Sequence, residues 1–127
     1  MTDVSRDRSE PPRTLILVTA DLFLGSRLRA MAEQAGDRVV TVANPARLAN
    51  ARSGSGIKRY AIDLSMPAIN CVEWHEHLSE SERSQALAYA PHVRVDLLKT
   101  ARAAGFGTVL TRSQLDAAFP AWLAAGT

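Results

Sequence analysis

The side chains of this sequence that could do chemistry are two acids and an arginine, each at the end of a short apolar segment. Asp63 ends the segment RYAID, Asp21 follows TLILVTA, and Arg112 follows TVLT. Two carboxylates held together could bind a divalent cation, because Mg²⁺ prefers oxygen ligands. A guanidinium beside them could pair with an acid or neutralise an anionic group. This chemistry depends on a fold that gathers the three segment ends.

Five apolar segments of four to six residues predict β-strands, because nearly continuous apolar runs are typical of strands buried on both faces of a parallel sheet. The segments between them show helical periodicity or helix-start signals. The predicted strands cover residues 14–19, 38–43, 59–64, 85–90 and 108–111. The predicted helices cover residues 22–35, a short segment from Asn44 and Pro45, residues 71–78, residues 93–104, and a last helix from Ser113.

Two polar or proline-containing segments are predicted to interrupt this alternation. Ser79 to Ser84 is polar throughout and predicts a linker. Ser113, with Asp116 three residues later, resembles a capping box for the last helix. Pro120 removes a backbone donor and predicts a break in that helix near residues 117–119. A truncated last helix would leave apolar side chains exposed.

Alternating strands and helices predict one parallel sheet with helices on both faces. The carboxyl ends of the strands then lie at one edge, where ligands bind in such sheets. Asp21, Asp63 and Arg112 all fall there, and an Asp63–Arg112 salt bridge is one expected arrangement. Residues 1–13, which mix charges and end near two prolines, predict a disordered lead-in, and residues 14–127 form the domain.

The residues after Asp63 resemble those of the bacterial response-regulator receiver family, in which the third strand ends in a phospho-accepting Asp. Leu64, Ser65, Met66 and Pro67 follow it, and Ala103-Ala104-Gly105 leads into the fifth strand as in receivers. The resemblance covers about residues 14–125. It implies a flavodoxin-like, doubly wound sheet of five parallel strands in the order 2-1-3-4-5. It also implies that Asp63 takes the acceptor position and that Arg112 takes the place of the family's Lys.

Several positions depart from the receiver pattern. Receivers carry two adjacent acids after the first strand, whereas this chain has Thr19-Ala20-Asp21. The switch hydroxyl should fall among residues 88–90, which are Ala, Tyr and Ala and include neither Ser nor Thr. A guanidinium is also a poor substitute for a compact ammonium. These departures favour a divergent pseudo-receiver whose acidic pocket, Asp21 and Asp63, is degenerate.

The expected function is therefore that of a stand-alone, receiver-like signalling module that binds a partner protein, with no enzymatic activity and no cofactor. The partner is another protein, a histidine kinase or a second copy of the chain. The alternative is a genuine phosphoacceptor that uses Asp63 and holds Mg²⁺ through Asp21 and Asp63. A small-molecule binder of the flavodoxin type has no supporting motif. The expected interaction face consists of Arg94, Lys99, Arg102, Leu115, Phe119 and Trp122.

Composition argues against other classes of function. The net charge is +2 and the pI about 9.1, but the basic residues are scattered, which argues against a nucleic-acid interface. Cys71 is the single cysteine, so no intramolecular disulfide forms. His75 and His77 would face opposite sides of a helix and predict no metal site. No apolar run suggests a membrane span or a signal peptide, so we expect a cytoplasmic protein.

Overall fold

A computed structural model of the chain describes residues 13–43, 47–48, 51, 56–66 and 77–125. Five strands form one parallel sheet in the order β2-β1-β3-β4-β5, which confirms the predicted fold class and strand order. The strands are β1 (Arg13–Val18), β2 (Arg38–Val42), β3 (Ile57–Asp63), β4 (Leu87–Ala90) and β5 (Thr108–Thr111). The described helices are α1 (Leu22–Gln34), α2 (Glu80–Gln85), α3 (Val95–Ala103) and α4 (Arg112–Ala125).

Strand register determines which side chains meet at the carboxyl edge of the sheet. Ala61 of β3 pairs with Leu87 of β4, and two positions later Asp63 lies opposite Tyr89. Tyr89 in turn lies beside Leu110 of β5. Neighbours in parallel register project to the same face of a sheet. Asp63 and Tyr89 therefore share the face that α1 and α4 cover.

Two hydrophobic clusters, one on each face of the sheet, make up the core. Leu98 and Ala101 of α3 pack with Ile16 and Ile62 on one face. On the other face, Leu28 of α1 and α4 pack on the opposite side chains of β1 and β4. Every residue of β4 is buried, as expected for an apolar inner strand. Among the described helices, none has the length and apolar character needed to cross a bilayer.

The segment predicted as a polar linker is in part a helix, so that prediction is wrong. Ser79 caps α2 because its side chain accepts a hydrogen bond from the Glu82 N–H, and the Glu82 carboxylate accepts one from the Ser79 N–H. This capping box stabilises the helix start without an apolar stripe. β1 begins one residue earlier than predicted, at Arg13. Most of the helix predicted after Asn44, and residues 71–76 of the next one, lie outside the described residues.

The last helix differs most from its prediction. α4 is continuous from Arg112 to Ala125, with Pro120 inside it and no break near residues 117–119. Its start is stabilised by a reciprocal pair in which Gln114 N–H donates to Thr111 Oγ1 and Thr111 N–H donates to Gln114 Oε1, so Ser113 is not the cap. Pro120 lies on the exposed side of α4. Packing on the sheet outweighs the loss of one backbone hydrogen bond there.

Candidate functional site

Asp63 is buried, with 5% of its surface exposed, and its own chain satisfies both carboxylate oxygens. Oδ1 accepts hydrogen bonds from the Ser65 backbone N–H at 2.9 Å and from the Ser65 hydroxyl at 2.6 Å. Oδ2 accepts one from the Thr19 hydroxyl at 3.3 Å. A carboxylate that accepts from the N–H two residues later forms an Asx turn, which caps the end of the strand. Asp63 therefore has a structural role as well as a place at the candidate site.

Thr19 connects the end of β1 to both acids. While its hydroxyl donates to Asp63, the hydroxyl oxygen accepts from the Asp21 backbone N–H at 3.0 Å. α1 reaches this position closely because Gly25 has no side chain. A Cβ added at Gly25 would lie 3.3 Å from the Thr19 methyl group, which is tighter than ordinary van der Waals contact. The glycine at position 25 thus allows the start of α1 to approach Thr19 closely.

Asp21 is the N-cap of α1. Its Oδ1 accepts a hydrogen bond from the Leu24 N–H at 3.0 Å, and its Oδ2 pairs with the Arg112 guanidinium. The Leu24 N–H lowers the pKa of the Asp21 carboxyl, partial burial opposes that shift, and Arg112 lowers the pKa further. Both oxygens of Asp21 are therefore engaged within the chain. Where receivers carry two adjacent acids, this chain therefore has a single acid that caps a helix.

The expected salt bridge between Arg112 and Asp63 is wrong. Arg112 is the first residue of α4, beyond the end of β5, and its side chain extends to the N-terminus of α1 and pairs with Asp21. A second ion pair, Arg27 with Asp116 at 3.0 Å, also joins α1 to α4. In the part of the chain that the structure describes, no ion pair reaches Asp63. The ion pair of Arg112 with Asp21 therefore joins α4 to α1.

Tyr89 is the site residue that sequence reasoning did not single out. It is fully buried, and within the described residues its hydroxyl has no hydrogen-bond partner. Burial raises the pKa of the Tyr89 phenol well above its ordinary value, the nearby Thr19 hydroxyl partly opposes that shift, and the negative charge of Asp63 adds to it. The strand register with Asp63 could have identified it among residues 88–90, because residues opposite each other in parallel strands share a face. The position expected for a switch hydroxyl thus holds a buried phenol.

The residues at this edge do not fit a Mg²⁺ ion. A hard cation needs six oxygen ligands in near-octahedral geometry. The oxygens of Asp63 are occupied by Thr19 and Ser65, and those of Asp21 by Leu24 and Arg112. No group of three or more acids, histidines or cysteines that could hold a metal occurs among the described residues. The described side chains thus offer a cation only two carboxylates, and both are already engaged within the chain.

The exposure expected for the interaction face is found for three of its six residues and not for the other three. Arg94, Lys99 and Arg102 are exposed around α3, as expected. The three apolar members are buried. They lie at i, i+4 and i+7 of the unbroken α4 and form one apolar stripe that packs on the sheet. The stacked pair within that stripe has ring centroids 5.7 Å apart. The buried members are Leu115, Phe119 and Trp122, with 0%, 0% and 8% of their surface exposed.

Comparison with known protein structures identifies the type of fold. No protein-family model and no curated protein matches the sequence. The structure of the response regulator StyR matches with a TM-score of 0.73 and 21% identity, over 91% of this chain and 59% of that one. The beryllofluoride-activated NtrC4 receiver domain dimer matches with a TM-score of 0.68 and 16% identity, over 91% of this chain and 98% of that one.

A third match is the receiver domain of a sensor histidine kinase from Pseudomonas aeruginosa PAO1, solved with a magnesium ion in its active-site cleft. Its TM-score is 0.63 at 15% identity, over 89% of this chain and 98% of that one. The chain therefore has the fold of response-regulator receiver domains. The resemblance that the sequence carried is confirmed at the level of the fold.

Proposed function

We propose that this chain is a receiver-like signalling module that acts by binding a partner protein and is not switched by phosphorylation of Asp63. The observation that carries the proposal is the closed environment of Asp63. Its carboxylate is buried and accepts three hydrogen bonds from Thr19 and Ser65. Such an aspartate is not open to phosphoryl transfer. The function that then remains for a receiver-type fold is recognition of a partner through its surface.

The chemistry of phosphoryl transfer explains why this environment is unfavourable. An aspartyl phosphate forms when a carboxylate oxygen attacks phosphorus in line while cations neutralise the developing charge. At Asp63 both oxygens accept hydrogen bonds from Ser65 or Thr19, which lowers their nucleophilicity, and burial restricts the in-line approach of a donor. The nearby cation, Arg112, already neutralises Asp21. Breaking these contacts adds to the barrier of every transfer.

Intact-protein mass spectrometry after incubation with acetyl phosphate and Mg²⁺ tests this proposal. We expect no phosphorylated species above that of the Asp63→Asn variant, which keeps an acceptor oxygen for the Ser65 N–H. Both proteins should give the same far-ultraviolet circular dichroism, so that a negative result reflects chemistry and not unfolding. A stoichiometric adduct that Asp63→Asn abolishes would make the chain a genuine phosphoacceptor.

The exposed surface of α3 is the binding face that the structure favours. Val95, Lys99 and Arg102 follow one another at i, i+4 and i+7, so they form one outward stripe. Val93, just before the helix, has 71% of its surface exposed. In the described part of the chain, Lys99 and Arg102 have no ion pair, in contrast to Arg94, which pairs with Asp96. Two free cations beside exposed valines suit a partner surface that is apolar with an acidic rim.

Site-specific photo-crosslinking in the native host tests this face. A photoreactive residue at position 95 should give a discrete adduct that the double change Lys99→Glu, Arg102→Glu weakens severalfold. The matched control is Arg38→Glu, an exposed charge reversal at the start of β2. Equal labelling in the α3 variant and the control would contradict the assignment of this face. Sedimentation velocity on the purified chain distinguishes a second copy from a different protein as the partner.

A further inference from the structure

A cleft of about 260 Å³ lies beside the Asp63 site, between α1 and the ends of the first two strands. Its volume equals that of roughly nine water molecules at about 30 Å³ each. Four of its lining residues are spaced along one face of the helix at i, i+3, i+4 and i+7. α1 contributes Leu22, Gly25, Ser26 and Arg29, and the strand ends contribute Thr19 and Thr41.

The polar groups in this cleft suit an oxyanion. Ser26 and Thr41 carry hydroxyls, and Arg29 carries a guanidinium, whose planar fork matches a carboxylate or phosphate. Arg29 is held only loosely. Its Nε donates to Glu33 at 3.3 Å, and its Nη1 reaches Thr41 at 3.5 Å, the limit of a hydrogen bond. An exposed i,i+4 pair of this kind is weak, so the guanidinium can turn toward a ligand at little cost.

The remaining walls set the size and character of the ligand. Asp21 also lines the cleft, but Leu24 and Arg112 engage both of its carboxylate oxygens, which reduces its repulsion of an anion. Leu22 stands at the cleft with 81% of its surface exposed. Gly25 keeps the wall flat where a side chain would intrude. Most of the accessible lining is apolar, so the space fits a short organic molecule with an anionic group at the Arg29 end and an apolar remainder.

We propose that this cleft binds a small organic oxyanion, a carboxylate or a phosphate ester, with Arg29 as its anchoring cation. The site is separate from the Asp63 carboxylate, although Thr19 contacts both. A ligand that hydrogen-bonds to Thr19 competes with Asp63 for the same hydroxyl. Binding of an oxyanion in this cleft does not depend on phosphorylation of Asp63.

NMR titration of the full chain with two probes, glycerol 3-phosphate and malate, tests the proposal at constant ionic strength. We expect at least one probe to shift the amide signals of Thr19, Ser26 and Thr41 along a saturable curve. Arg29→Gln should weaken that binding about tenfold or more, because a charge-assisted hydrogen bond is lost. Thr41→Val, which keeps the shape and removes a hydroxyl, should weaken it severalfold.

Arg27→Gln is the matched control, because Arg27 is also an exposed α1 arginine but pairs with Asp116 of α4. It should leave the affinity within about twofold of the unchanged chain. Saturable binding that Arg29→Gln and Arg27→Gln weaken equally would overturn the proposal, as would the absence of saturable shifts with both probes. Asp63→Asn should retain the binding. Retained binding would show that the cleft does not depend on the Asp63 carboxylate.

Discussion

The two ends of the sheet bury charge in opposite ways. The amino-end cluster consists of Arg13, Asp37, Arg59 and Trp122, and the carboxyl-end cluster consists of Thr19, Asp63, Ser65 and Tyr89. At the amino end an acid and an arginine form a buried ion pair. At the carboxyl end a buried acid has only uncharged donors, and a phenol has no partner in the described structure.

Both arginines of the amino-end cluster have specific contacts. Arg13 donates to Asp37 from Nε at 2.9 Å and forms an ion pair through Nη2 at 2.8 Å. Arg59 donates to the Trp122 carbonyl at 2.9 Å and lies 3.7 Å from the centre of the Trp122 ring. Burial, followed by the charge of Arg13, lowers the pKa of Arg59 to about 10, so it stays charged at neutral pH. These contacts also satisfy carbonyls at the end of α4.

The difference is that the amino end pairs its buried charges, whereas the carboxyl end leaves one buried hydroxyl without a partner among the described residues. A buried hydroxyl without a partner costs free energy, and such costs collect at functional sites. The amino-end cluster shows that this chain can satisfy buried polar groups fully. The orphan Tyr89 hydroxyl is therefore a specific property of the carboxyl end, where ligand sites of such sheets lie.

The largest expected effect is at the amino end. Asp37→Ala should lower the free energy of unfolding by about 3–5 kcal/mol, because buried Arg13 would lose its ion-pair partner and Arg59 a nearby negative charge. Denaturant unfolding of the purified chain measures this. Asp116→Ala, which breaks the exposed pair with Arg27, is the control and should cost about 0–1 kcal/mol. Similar losses in both variants would show that the amino-end pair contributes no more than a surface pair.

Tyr89→Phe should stabilise the fold by about 1 kcal/mol, because it removes a buried hydroxyl that lacks a partner. Tyr60→Phe is the matched comparison, since the Tyr60 hydroxyl donates to Glu82 at 3.1 Å. That variant should lose about 1 kcal/mol. Thermal or urea unfolding of the two variants measures these opposite changes in the free energy of unfolding. A clear loss of stability in Tyr89→Phe would mean that its hydroxyl is satisfied in solution.

A smaller effect tests the partner of Arg112. A double-mutant cycle of Arg112→Gln with Asp21→Asn should give a coupling of about 0.5–1 kcal/mol, and the cycle with Asp63→Asn a coupling near zero. The folded-state pKa of Asp21 is lowered, so its contribution is fully present above 3.8, the ordinary value, and is lost as pH falls through the folded pKa. The coupling measured at pH 7 should therefore disappear in strong acid. Coupling to Asp63 instead would restore the salt bridge expected from the sequence.

The sequence predicted the sheet well because its strands are short apolar runs with clear ends. It failed at α4, where local reasoning gave too much weight to Pro120 and could not see that Leu115, Phe119 and Trp122 form one stripe on the sheet. Asp63 was found because an acid ended an apolar strand. Tyr89 was missed as a site residue because its role depends on strand register. The partner of Arg112 depends on where a long side chain reaches after the strand ends, which spacing along the chain does not determine.

The central claim is that Asp63 is closed to phosphoryl chemistry, and NMR titration with beryllium fluoride and Mg²⁺ tests it most directly. Beryllium fluoride forms a complex with a free aspartate that resembles the phosphorylated residue. We expect the amide signals of Thr19, Ser65 and Tyr89 to be the same with and without the reagents, because the Asp63 oxygens are already bonded. A stoichiometric, Mg²⁺-dependent complex that Asp63→Asn abolishes would contradict the claim and identify a working phosphoacceptor.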